Sequence, residues 1–221
     1  MVKLLKEHNR LNETIFMAVL TLACMGLSIF RFIYADSMVF LFLVWNLFLA
    51  FVPWGLTSIM MLKPTYQKNP VVIGILLGAW LIFFPNAPYI LTDLFHLRQR
   101  YSMPIWFDLI LILSFAWTGL LFGFLSLWDI EKIMARSIRR PWVTVISMGL
   151  LFLGSFGVYV GRYMGWNSWD VIHEPFRLMN DVGTRIASPV EHPATWGVTV
   201  SLGLFLNMIY WSFKFIRMRD K

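Results

Sequence analysis

Six apolar runs, each long enough to cross a bilayer, constrain this chain more than any other feature. A spanning helix needs about 20 mainly apolar residues. Runs of that kind occupy residues 14–34, 37–62, 71–95, 105–128, 142–164 and 194–215. In hydrocarbon every backbone polar group must be satisfied internally, so such runs fold as helices. The composition agrees: 58% of the 221 residues are hydrophobic, 14% are charged, and the mean hydropathy is +0.66. The reading is an all-α, polytopic bundle: one six-span membrane domain over residues 1–221, with the first span an uncleaved signal anchor.

Loop charge sets the expected orientation. Six spans bring both termini to one side, and thirteen of the nineteen Lys and Arg residues fall there. The positive-inside rule then places both termini in the cytoplasm, as in a bacterial cytoplasmic membrane protein. Topology accounts for the net charge of +7, and nucleic acid is not an expected partner. The lone cysteine, Cys24, lies inside the first run and reads as a membrane-buried thiol.

Polar residues interrupt the third run. "PNAPYILTDLFHL" (residues 85–97) has two prolines and ends in Asp and His. Pro85 and Pro88 remove two backbone donors, so the helix should break near residues 84–87. Asn86 would cap a new short helix over residues 87–97, about 15 Å long at 1.5 Å per residue. Tyr89, Asp93, His96 and Arg100 would form one stripe along it. A second short helix is expected near residues 175–187, started by Pro175, with Phe176, Met179, Val182 and Ile186 on one face. It would lie in the outer interface or pack on the spans. Gly157, Gly161 and Gly165, four apart, would permit close helix approach in the fifth span.

With the spans oriented, Asn46, Asn86, Tyr89, Asp93, His96, Asp108 and Arg162 all fall toward the outer side. Ionisable groups at membrane depth usually face a bundle interior or a wet cavity. An outward-facing polar cavity is therefore expected. His96 would act as base, Asp93 as its orienting carboxylate and Asp108 as acid. The same three side chains would suit a divalent zinc, manganese or iron ion. Arg162, Asn86, Tyr89 and Asn46 would bind substrate, with Arg162 as a bidentate clamp. The structural alternative has Arg162 neutralising Asp93 and Asp108.

"WNLFLAFVPW" (45–54), "FPNAPYILTDLFHL" (84–97), "WFDL" (106–109) and "GRYMGWNSWD" (161–170) together resemble a family of bacterial integral membrane proteins, the domain of unknown function number 1361. That resemblance implies a small multispanning membrane protein and transfers no activity. The residues leave three functions open. The first choice is an envelope-facing hydrolase or transferase acting on a lipid-linked substrate. The others are a non-catalytic assembly or scaffold partner of another envelope protein, and a carrier for a small polar solute or ion. Catalysis needs Asp93, His96 and Asp108 to converge. Transport needs a polar route to the other side. A scaffold needs its polar groups paired.

Overall fold

A computed structural model describes residues 10–98 and 103–219, with side chains described as far as Ile216. Those residues form helices and no strand. Six helical stretches are long and apolar enough to cross a membrane: Leu11–Ala35, Phe42–Leu62, Pro70–His96, Ile105–Met134, Arg140–Met164 and Pro193–Ile216. Each overlaps one of the six apolar runs, so the polytopic all-α reading holds. By contact the chain divides into two compact units, Met1–Ile130 and Glu131–Lys221.

The first unit contains α1 (Leu11–Ala35), α2 (Phe42–Leu62), the short α3 (Pro64–Lys68), α4 (Pro70–Phe83), α5 (Asn86–Tyr89), a 3-10 helix (Ile90–His96) and most of α6 (Ile105–Met134). The connection after α1 is longer than the two residues left between the first two apolar runs, because α2 begins at Phe42 and not at residue 37. Asp36 takes the left-handed conformation (φ 44°, ψ 46°), which Asp tolerates better than most residues. Asn69 caps α4 by accepting from the N–H groups of Val71 and Val72, and Pro70 occupies the first turn. Leu47, Ala50, Ala87, Ile112 and Phe115 are among the residues that form the apolar core of this unit.

The third span breaks where its prolines predict. Pro88 cannot donate to the carbonyl of Phe84, which instead accepts from Ala87 N–H at 3.2 Å, one residue early. Asn86 does not cap the new helix. Its Nδ2 donates backward to the carbonyl of Phe83 at 2.9 Å, so the side chain satisfies an acceptor left by the disrupted ladder. Beyond Tyr89 the chain winds as a 3-10 helix, not the expected α-helix. Thr92 Oγ1 donates to the carbonyl of Tyr89 at 2.6 Å, and Leu97 N–H to that of Leu94 at 3.0 Å, both three residues back. With three residues per turn, Asp93 and His96 align with Ile90 and not with Tyr89. The expected stripe is therefore redrawn; its last member, Arg100, lies outside the described residues.

Two glycines of α6 let the broken segment approach. A Cβ on Gly123 would stand 2.7 Å from Ala87 Cβ. A Cβ on Gly119 would stand 2.7 Å from Ile90 Cδ1 and 3.2 Å from the carbonyl oxygen of Ala87. This G-x-x-x-G pair seats the break. The pattern read in the fifth span needs one correction: Gly165 ends its helix at φ 77° and has nothing within 4 Å of where its Cβ would stand. It is a left-handed C-terminal cap, not a packing residue.

The second unit contains α7 (Arg140–Met164), α8 (Asp170–His173), α9 (Pro175–Ala187) and α10 (Pro193–Arg219). α7 and α10 pack closely, and a Cβ on Gly203 would stand 2.2 Å from the Phe152 ring. Lys214 Nζ bonds Glu131 Oε2 at 2.6 Å and lies 4.4 Å from the Trp211 ring centroid.

Gly123→Ala should destabilise the detergent-solubilised protein by about 1–3 kcal/mol, the usual range for overpacking. Ala87 Cβ can retreat only with its backbone, so Gly123→Ala combined with Ala87→Gly should recover part of the loss. Thermal unfolding midpoints in one detergent check both variants.

Candidate functional site

The buried charges of the first unit follow from the register of α1 against α6. The two helices run antiparallel and meet at three polar contacts: Arg10 with Asp129, Cys24 with Thr118 (Sγ···Oγ1 3.3 Å) and Arg31 with Asp108. Arg10 and Arg31 are 21 positions apart, as are Asp108 and Asp129. At 1.5 Å per residue that is about 32 Å, close to the roughly 30 Å of a bilayer's hydrocarbon core. The two ion pairs thus stand about one hydrocarbon thickness apart, and the middle contact involves only a thiol and a hydroxyl.

One pair organises the α1–α2 turn. Arg31 Nε donates to Asp108 Oδ1 at 3.0 Å and Nη1 to the carbonyl of Ser37 at 3.0 Å. Its guanidinium lies 4.7 Å from the Phe40 ring centroid. Arg31 is 1% exposed and Asp108 0%. A charge so buried is retained only when paired. Asp108 therefore answers to Arg31.

The opposite pair gathers three helices. Arg10, just before α1, bonds Asp129 of α6, Glu13 of α1 (2.8 Å) and Ser58 of α2 (3.1 Å). Trp54 Nε1 donates to the same Glu13 oxygen at 2.8 Å, and the Arg10 guanidinium lies 5.6 Å from the Trp54 ring centroid. In the sequence Arg10 is one of the thirteen basic residues assigned to the cytoplasmic side, and nothing local marks it as buried. A signal was present: Asp129 and Glu131 lie near the C-terminal end of α6, where the helix dipole disfavours carboxylates. Acids there call for cations, and the structure supplies Arg10 and Lys214.

The polar residues of the broken span separate by burial. Asp93 is 0% exposed, and its Oδ2 accepts from Asn46 Nδ2 at 2.8 Å, which ties the 3-10 helix to α2. His96, one 3-10 turn later, is exposed, its ring 5.4 Å from that of Phe42. Asn86 and Tyr89 are half-buried at the break. Arg162 is half-buried in the last turn of α7, in the second unit, where a cation suits the helix dipole. Among the described residues, no group of three or more His, Cys, Asp or Glu side chains stands close enough to hold a metal ion. The geometry brings Asn46 to Asp93 but assembles no ligand set from Asp93, His96 and Asp108.

Residues 45–209 match the family model described as "Protein of unknown function (DUF1361)". The chain belongs to this family. The match includes Asn46, the broken third span, Asp108 and Asp129, while α1 with Arg31 precedes it. No curated protein and no solved structure matches the chain.

Removing one partner of the buried pair should cost more than removing both. Asp108→Ala should destabilise the protein by about 3–5 kcal/mol by stranding a buried guanidinium. Arg31→Leu combined with Asp108→Leu should recover most of that loss. Equilibrium unfolding in mixed micelles measures both.

Proposed function

We propose that this DUF1361 protein is a non-catalytic membrane partner that assembles or stabilises another envelope protein. One observation carries the reading: the acids best placed for chemistry are committed inside the bundle, Asp108 to Arg31 and Asp93 to Asn46. Groups paired in this way hold helices in register. A carrier fits less well, because the interior between the two ion pairs is lined by apolar side chains such as Met17, Leu111 and Phe115. The loop charge bias supports a bacterial cytoplasmic membrane location with both termini in the cytoplasm.

A hydrolase or transferase acting on a lipid-linked substrate is the second reading, and exposed His96 beside buried Asp93 favours it. In that reading His96 is the base, oriented by Asp93, with Asn86 and Tyr89 on the substrate. A zinc, manganese or iron ion would need a ligand in place of Asp108.

The two readings part at His96. In a host lacking the gene, another membrane protein should fall in abundance. Native chain and His96→Ala, expressed equally, should restore it equally, as read by quantitative membrane proteomics. Restoration by native chain alone, or a lipid-linked intermediate building up in both the deletion and the His96→Ala strain, would favour the enzyme.

A further inference from the structure

The helix between the last two spans has two unlike faces, and each meets a different environment. At 3.6 residues per turn, Phe176, Met179 and Ile186 fall within about 80° of the circumference of α9. Arg177, Asp181 and Arg185 fall within a similar arc on the opposite side. The polar arc is held by the protein. Trp166, just past the end of α7, donates its indole N–H to Asp181 Oδ2 at 3.1 Å, and its ring centroid lies 5.4 Å from the Arg177 guanidinium. Trp196, in the first turn of α10, donates to the carbonyl of Arg185 at 3.3 Å. The apolar arc is bare: Phe176 is 85% exposed and Met179 70%. Ile172 before the helix and Val190 after it are as open, at 82% and 89%.

The position of α9 decides what covers that arc. Its two anchors stand where α7 ends and α10 begins, the ends of two helices long and apolar enough to cross a membrane. Tryptophan is common at that level. The same unit's spans already present bare apolar side chains along their length, among them Leu153 on α7 and Leu204 on α10. An apolar arc carried at that level would enter the same lipid phase as those side chains. Its charges, Glu174 and Asp181 against Arg177 and Arg185, cancel, so apolar burial would drive the contact.

We propose that α9 is an interfacial helix whose Phe176, Met179 and Ile186 face, with flanking Ile172 and Val190, is immersed in the leaflet at that end of the spans. The occupant of this face is bilayer lipid.

Site-directed spin labelling of the full chain in phosphatidylcholine–phosphatidylglycerol liposomes tests it. Cys24→Ser removes the native thiol, and single labels follow at Ile172→Cys, Phe176→Cys, Met179→Cys, Asn180→Cys, Thr184→Cys and Ile186→Cys. The expected result is high accessibility to oxygen and low accessibility to a water-soluble nickel chelate at 172, 176, 179 and 186, with the reverse at 180 and 184. Nickel access at all six positions would overturn the proposal by showing a face open to water. Labels at 176 and 179 that are immobilised and reached by neither reagent would overturn it in favour of a protein, whether a second copy or another chain. Neither result bears on the role of His96, so this proposal and the proposed function fail separately.

Discussion

The pairing of α1 with α6 is the interaction on which the first unit depends. Two ion pairs stand 21 positions apart on both helices, with a thiol–hydroxyl contact between them. A slip by one residue would break both pairs and leave charges in hydrocarbon. That penalty fixes the register more firmly than apolar packing can, because apolar side chains on two helices in lipid have no preferred partner. The pairs also reach beyond the two helices. Arg31 draws in the carbonyl of Ser37 and so sets the turn into α2, while Arg10 reaches Ser58 near the far end of α2.

The broken third span is seated on this frame. Its prolines make the break, but α6 gives it a place, through Gly119 and Gly123, and α2 ties it down through Asn46. Freed backbone groups at membrane depth are tolerated only when something satisfies them. Here Asn86 takes the Phe83 carbonyl and Thr92 the Tyr89 carbonyl. The polarity of "PNAPYILTDLFHL" thus has a structural explanation for Asn86, Thr92 and Asp93. His96, exposed at the end, is the residue that this explanation does not cover.

What the sequence made legible was set by local rules. Apolar length placed six spans, proline placed the break, and Pro175 with a 3.6-residue apolar repeat placed α9 on the residues expected. The candidate site was less legible, because ion pairing is non-local. Arg31 and Arg10 both counted only as charges that set the orientation; their partners lie 77 and 119 residues away in sequence. The G-x-x-x-G of α6 was visible in the sequence but acquired meaning only once Ala87 was seen against it. The winding of residues 90–96 as a 3-10 helix was not legible, since i, i+3 and i, i+4 spacings serve both helix types over so short a run.

The register of α1 against α6 is best tested at its middle contact, where no charge takes part. Cys24 Sγ and Thr118 Oγ1 stand 3.3 Å apart, so the two side chains meet end to end. Thr118→Cys, oxidised in native membranes and mapped by mass spectrometry, should link to Cys24 within one chain, efficiently and without loss of folded protein. Cysteines placed one residue to either side, at Trp117 and Gly119, should link poorly. No link from position 118, or equal links from all three, would contradict a register fixed by the two ion pairs.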